Sequence, residues 1–381
     1  MKSAVCSSIR EIDAAQWNAL SDGSSPFVRH EFLAALESTR CVGSGSGWQP
    51  CFITLQDRQG LAGAAPAYLK MHSYGEFVFD FSWAQAYARA GLDYYPKLTV
   101  ATPFTPASGP RLLARADLQR EQVVAALIKA LSEFVDERQL SSAHVLFPIE
   151  ADRAALETAG WLGRRDCQFH WSNRGYSSFD DFLATFTAEK RKKAKRERRR
   201  VSELGIRFET RMGGELSDAE LEAMYALHRD TFLRHGHEPY LTQDFFRTAR
   251  RDLGSGWMVK LALIEQQVVA SSIFFVGRDT LFGRYWGAAA DFHSLHFETC
   301  YHQGVEFCIE RGIARFEPGT QGEHKVSRGF EPTLTASAHY IRDPRFRAAI
   351  ADYLRREARS VDEYSAAVRR HVPFRLGAGG D

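Results

Sequence analysis

The sequence predicts an α/β fold of the α+β kind: a duplicated domain whose mixed, largely antiparallel sheets are flanked by helices. Three observations lead there. Strand-like and helix-like stretches alternate along the 381 residues with few long linkers. The same order of elements runs through both halves. A short string, Glu133-Phe134-Val135-Asp136-Glu137-Arg138, returns as Glu306-Phe307-Cys308-Ile309-Glu310-Arg311. Each copy ends a helix and leads into a short strand stopped by a proline, Pro148 or Pro318; a shared string at a shared place in a shared order marks an internal repeat. The length suits two domains at roughly 150 residues each, divided as 1–173 and 174–381.

Taken in order, Val5 to Ile12 reads as a strand, followed by helical stretches near 13–20 and 29–37. Pro50 to Gln56 and Leu61 to Met71 read as a hairpin turning at Gln59-Gly60. Between about 116 and 138, Val123, Ala126, Leu127, Ala130, Leu131 and Phe134 recur at helical spacing. Strands follow at 143–147 and 165–171. The second half opens with Ser178 and Asp181 as a helix cap, then an apolar stripe of Phe179, Phe182, Leu183 and Phe186. It continues with a strand at 206–210, a helix capped by Ser217 and Glu220, and a hairpin from Trp257 to Val276. A strand at 280–286, a helix from about Ser294 to Arg311 and a strand at 313–316 complete it.

Composition excludes several classes. At 44% hydrophobic and 25% charged the chain has the balance of an ordinary globular protein, and no run of 18 apolar residues offers a membrane-spanning helix. The first twenty residues carry Arg10, Glu11 and Asp13 where a secretory signal needs apolar ones, so the expected location is cytoplasmic. Six scattered cysteines without a CxxC pair read as reduced thiols. Net charge is only +2, yet Lys190, Arg191, Lys192, Lys193, Lys195, Arg196, Arg198, Arg199 and Arg200, opposed by Glu197 alone, place +8 in one stretch and leave −6 for the rest. Self-repulsion makes such a block costly unless it meets an anion. The basic helix is expected over 187–204, with charge on all its faces and a tRNA or another phosphate-bearing substrate as its partner.

Several strings resemble the FemAB-like (peptidoglycan biosynthesis/recognition) family of bacterial proteins, within the GNAT acyltransferase superfamily: HSYGEFVFD (72–80), AYARAGLDYYPK (86–97), PFTPASGPR (103–111), GHEPYLT (236–242), GRYWG (283–287) and GTQGEHKVSRGFEP (319–332). The resemblance spans almost the whole chain. It implies tandem GNAT-like domains and transfer of an aminoacyl or acyl group onto an amine acceptor, forming an amide. The acceptor would be a cell-wall precursor, a peptide or an amino acid. Enzymes of this superfamily that use acetyl-CoA carry a glycine-rich pyrophosphate loop after the fourth strand. Here 287–294 lacks that pattern and places Asp291 where a phosphate would approach. The resemblance therefore favours aminoacyl-tRNA as co-substrate, with no resident cofactor. An acyl-CoA-dependent N-acyltransferase is the alternative, and a non-catalytic cell-wall or nucleic-acid binding protein is a second. The oligomeric state is left open.

Within 319–332, Lys325 and Arg328 are candidates to hold a phosphate or an oxyanion, and Glu323 or His324 to relay a proton. Glu298 and His302, four apart, share a helix face: a second proton-transfer pair, or a structural ion pair. Arg284 and Tyr285 end a central strand, where Tyr285 is a candidate donor to the leaving group or an aromatic core residue. His72, Tyr74 and Asp80 mark a candidate acceptor pocket or a scaffold in the first half. His237 and Tyr240 are weaker substrate-binding candidates beside the cap residue Thr242. No metal site is expected, since no third ligand has suitable spacing, and neither a GxSxG elbow nor a paired cysteine offers a nucleophile, so direct attack by the amine is the simpler course.

Overall fold

The computed structural model describes residues 1–320 and 322–375; Gln321, within the 319–332 string, lies outside them. The strands are β1 (Lys2–Cys6), β2 (Trp48–Pro50), β3 (Phe52–Asp57), β4 (Gly60–Ala65), β5 (Ala67–Lys70), β6 (Lys97–Val100), β7 (Leu113–Ala114), β8 (Ser142–Leu146), β9 (Leu162–Ser172), β10 (Ile206–Met212), β11 (Trp257–Ile264), β12 (Gln267–Val276), β13 (Thr280–Ala288), β14 (Arg315–Glu317) and β15 (Glu331–Ile341). The helices are α1 (Ala14–Asn18), α2 (His30–Ser38), α3 (Phe81–Arg89), α4 (Arg120–Glu137), α5 (Glu150–Thr158), α6 (Phe179–Ala184), α7 (Ala188–Glu203), α8 (Asp218–Arg234), α9 (Gln243–Asp252), α10 (Leu295–Phe297), α11 (Gln303–Arg311) and α12 (Pro344–Arg369).

Two compact units result, one of residues 1–166 and 334–363, the other of 167–333 and the chain from 364. The sequence placed everything after 173 in the second domain; instead 334–363 returns to the first unit. There β15 completes a sheet by pairing antiparallel with β8, His339 opposite His144, and Ile350 and Leu354 of α12 pack with Trp83 and Tyr87. Neither element had been read from the sequence, nor had β6 and α3. Two further expectations change. The strand from Val5 stops at Cys6, because the Ser8 hydroxyl accepts from the Arg10 N–H and opens a 3-10 turn. The long second hairpin strand breaks at Pro66, which has no N–H to give a ladder; β4 joins β1, β3 and β7, while β5 joins β2 and β6.

The repeat holds in three dimensions. In the first unit, β6 and β8 are parallel neighbours with α4 between them in the chain. In the second, β13 and β14 are parallel neighbours with α10 and α11 between them. The repeated string forms the last turns of α4 and α11. Gln139 and Gly312, just beyond, both take positive φ, the left-handed ending that closes many helices.

Beside the apolar core of the first unit, where Val123, Leu127 and Leu131 of α4 pack on Ile53, Ala62 and Leu98, lies a buried ionic cluster. Lys97 Nζ donates to Ser73 Oγ at 2.9 Å, to Glu76 Oε2 at 2.8 Å and to Asp80. Tyr94 donates to Asp80 Oδ2 at 2.6 Å, and Ser73 also donates to Asp80. Burial pushes the Glu76 carboxyl up to about 7 despite Lys97. Asp80 lies well below the usual carboxylate range, because Lys97 and the neighbouring donors outweigh the burial that would raise it. Lys97→Ala leaves two buried carboxylates without their ion-pair partner, with Lys70 acting on them only at longer range, and should cost about 3–5 kcal/mol. Glu76→Gln should cost clearly less, a contrast that urea unfolding midpoints will measure.

Candidate active site

The second unit is one sheet in the order β10, β11, β12, β13, β14, β9, antiparallel except at β13–β14. That parallel ladder is short. It joins Thr280–Phe282 to Arg315–Glu317, and the rest of β13 runs on without β14. Just past the last pair, the β12–β13 register slips between Phe274↔Gly283 and Ile273↔Tyr285. Arg284 is the extra residue of a β-bulge, a device that re-aims side chains and is frequent beside active sites.

Three elements gather at this opening. The first is the helix between β13 and β14, which widens into a π-turn over Glu298–His302. The second is a 3-10 turn, Glu323–Arg328, set between Gly322 and Gly329, both at positive φ. A Cβ on Gly329 would lie 2.6 Å from the Phe182 ring, so this turn fits against α6 only with glycine there. The third is α7.

Glu197 of α7 joins the other two. Its Oε1 accepts from Arg328 Nη2 at 2.8 Å, and its Oε2 lies 3.7 Å from His302 Nε2. Burial raises the Glu197 carboxyl, but the His302 imidazole and Arg328 guanidinium beside it bring it below the ordinary value. Arg328 also donates from Nη1 to the His324 carbonyl at 2.6 Å and lies 3.4 Å over the Phe297 ring. One residue on, Arg198 donates from Nε to Glu298 Oε1 at 3.1 Å and from Nη2 to Glu306 Oε2 at 2.9 Å. Gln303 donates to the same two carboxylates at 2.8 and 3.2 Å. Glu298 and His302 do share a face, yet they answer to different partners. On the 3-10 turn, Lys325 is 2% exposed and donates to the Gly319 carbonyl at 2.7 Å; burial pushes its ammonium down to about 7. His324 bonds Tyr301 Oη at 2.9 Å, and Glu323 accepts from Tyr364 at 2.8 Å at the surface.

The chain matches the FemAB-like family, described as peptidoglycan biosynthesis/recognition, over residues 8–376. It belongs to that family. Among solved structures it is similar to FemX (TM-score 0.56, 10% identity, 92% of this chain and 100% of that one). It is similar also to a C-terminal DUF2156 domain from Agrobacterium fabrum, described as part of a lysylphosphatidylglycerol synthetase (0.55, 9%, 92% and 96%), and to L-PGS from Bacillus licheniformis (0.50, 12%, 90% and 96%). At these identities the likeness is one of fold. A search of curated protein sequences finds no match.

In this FemAB-like chain the remaining candidates fall into two further groups. Tyr285, His237 and Tyr240 meet around Phe232, whose ring lies 5.0 Å from His237, 5.4 Å from Tyr240 and 5.9 Å from Tyr285, and Arg284 lies over the Tyr285 ring, so the 236–242 and 283–287 strings converge. In the first unit, Asp80 is tied into the Lys97 cluster, whereas Tyr74 is 66% exposed with the His72 ring 5.4 Å away; the three do not converge on one centre. Charge does not cover all faces of α7. Ala194, Glu197 and Val201 form a buried stripe, and Arg198 turns inward to Glu298. That stripe has helical spacing, so Glu197 was detectable as the lone acid on an otherwise small and apolar line. Gln303 and His228 carried no such signal. No helix among the described residues is long and apolar enough to cross a membrane.

Lys325 allows a direct check. Its folded value lies below the 10.5 of an unperturbed lysine, so unfolding takes up a proton between about pH 7 and 10.5, and stability should rise with pH across that window. Lys325→Met should flatten the rise relative to the parent chain in urea unfolding series from pH 6 to 11.

Proposed function

We propose that this chain forms amide bonds, moving an aminoacyl or acyl group from an activated donor onto an amine carried by a cell-wall precursor, a peptide or an amino acid. Membership of a peptidoglycan biosynthesis/recognition family supports that setting. One observation carries the chemistry: a buried cation, Lys325, sits where β13 and β14 part. Its acceptor Gly319 lies against Gly283, close enough that a Cβ on Gly319 would be 3.6 Å from the Gly283 carbonyl oxygen.

Attack of an amine on an ester or thioester carbonyl builds negative charge on the carbonyl oxygen. Fixed positive groups in a water-poor place stabilise that oxyanion strongly. Lys325 in its protonated form fills this role, and Arg328, held by Glu197, reinforces it. The donor already contains an activated bond, so positioning supplies much of the remaining acceleration.

Aminoacyl-tRNA is the donor favoured by α7. Its outward face forms a groove of about 470 Å³ lined by Arg191, Lys192, Lys195, Arg196 and Arg199. Lys195 pairs with Asp180 and Arg199 with Glu203 at the surface. Such exposed pairs are weak and readily exchanged for phosphate. Five groove cations predict that log K for aminoacyl-tRNA falls with log salt at a slope of roughly −3 to −5. Replacing Arg191, Lys192 and Arg196 by glutamate should abolish binding, as read by filter binding across a salt series. Absence of RNA binding, with acyl-CoA saturating the protein instead, would overturn the tRNA reading and return the donor to the thioester.

A further inference from the structure

His228, on α8, is 1% exposed, and neither of its ring nitrogens has a hydrogen-bond partner among the described residues. A neutral imidazole carries one N–H donor and one lone pair. Buried groups of this kind are nearly always matched in folded proteins, so an exception calls for an explanation. The ring is firmly placed. Gly287 of β13 lets the α8 backbone sit directly on the strand, since a Cβ there would lie 2.2 Å from the Leu227 carbonyl oxygen. Tyr285, just past the Arg284 bulge, has its ring 4.7 Å from His228, and Phe232 lies at 4.8 Å. From Phe232 the aromatic contacts continue to half-buried Tyr240 and exposed His237. The cluster therefore runs from solvent to the buried imidazole, along the part of β13 that β14 has left.

We propose that His228 takes the proton from the acceptor amine, in a pocket walled by Phe232, Tyr240 and Tyr285 beside the Arg284 bulge. The assignment rests on the amide-forming reading above. A neutral primary amine attacks the donor carbonyl carbon and the C–N bond forms, giving an adduct with a positive nitrogen and a negative oxygen. The proton on that nitrogen passes to His228. The adduct then collapses, the bond from carbon to the departing oxygen or sulfur breaks with its electron pair, and the leaving atom takes the proton from the imidazolium. Histidine ends neutral, and the products are an amide and a free hydroxyl or thiol. Burial alone pushes the imidazole down to about 3 and keeps it neutral before the transfer; the proton transfer leaves the adduct with a net negative charge beside the imidazolium, and that charge offsets the burial that opposes protonation. The Arg284 guanidinium, 5.2 Å over the Tyr285 ring, adds positive potential that keeps a bound amine in its neutral, nucleophilic form.

The test is a titration of the full chain with n-butylamine, followed by histidine side-chain NMR, on the parent protein and on His228→Gln and His228→Phe. The expected result is saturable movement of the His228 resonances, with the nitrogen shifts identifying the ring atom that gains a hydrogen bond, and at least a tenfold loss of amine affinity in both variants. Phe is well suited to this aromatic surrounding, so His228→Phe should unfold no earlier than the parent; should it fail to fold, His228→Gln carries the comparison. Saturable binding that moves His302 or His324 while His228 stays still, with both variants binding as the parent does, would overturn the His228 assignment and leave the amide-forming reading standing. No saturable amine binding in the parent protein would count against both.

Discussion

Inside the most basic stretch of the chain one carboxylate, Glu197, faces inward, and the polar centre of the second unit is arranged around it. It meets Arg328 from the 3-10 turn and stands beside His302 from the π-turn, while its neighbour Arg198 reaches Glu298 and Glu306. Removing one partner of a buried pair leaves the other charge stranded, which is far costlier than the net worth of the pair. The consequence is positional. The turn carrying Lys325 and the helix carrying Glu298 are held to a common reference, and the cations that face water on α7 are fixed in orientation by the same helix.

The two units handle buried charge with opposite signs. In the first, a lysine is enclosed by two carboxylates; in the second, a carboxylate lies against an arginine and a histidine. The first arrangement is nearly saturated by its own groups, as expected of a structural cluster. The second is less so: Glu298 Oε2, His302 Nε2 and Arg328 Nε all lack hydrogen-bond partners among the described residues, against Glu76 Oε1 in the first. Partly satisfied polar clusters are costly, and they persist where chemistry uses them.

What could be read from the sequence follows from range. The repeat, the helix caps at Ser178 and Ser217, the α4 stripe and the β11–β12 hairpin are local patterns, and each stands close to where it was read. The return of β15 and α12 to the first unit depends on pairing between residues almost 200 positions apart, which no local period encodes. The same divide runs through the site. Lys325 and Arg328 were legible as residue types past a strand end, and Glu298 and His302 as a pair on one helix face, but their division among Glu197, Arg198 and Gln303 was not. His228 was invisible because its significance lies in what surrounds it, a ring of aromatic residues drawn from α8 and β13.

The π-turn at Glu298–His302 bears on how this helix tolerates change in length. An α-helix advances about 100° per residue, and a π-turn accommodates one residue more than an α-helical turn. Loss of a single residue there would let the helix run on as regular α with the turns on either side still on their present faces, whereas loss of a residue from the regular helix between Gln303 and Phe307 would swing one side by about that angle. In that case either Glu298 would leave Arg198, or Phe307 and Cys308 would rotate out of the core they fill. The segment is thus where the helix can give up a residue without turning its flanks, whereas a one-residue loss farther along forces a choice between the polar centre and the packing beneath it.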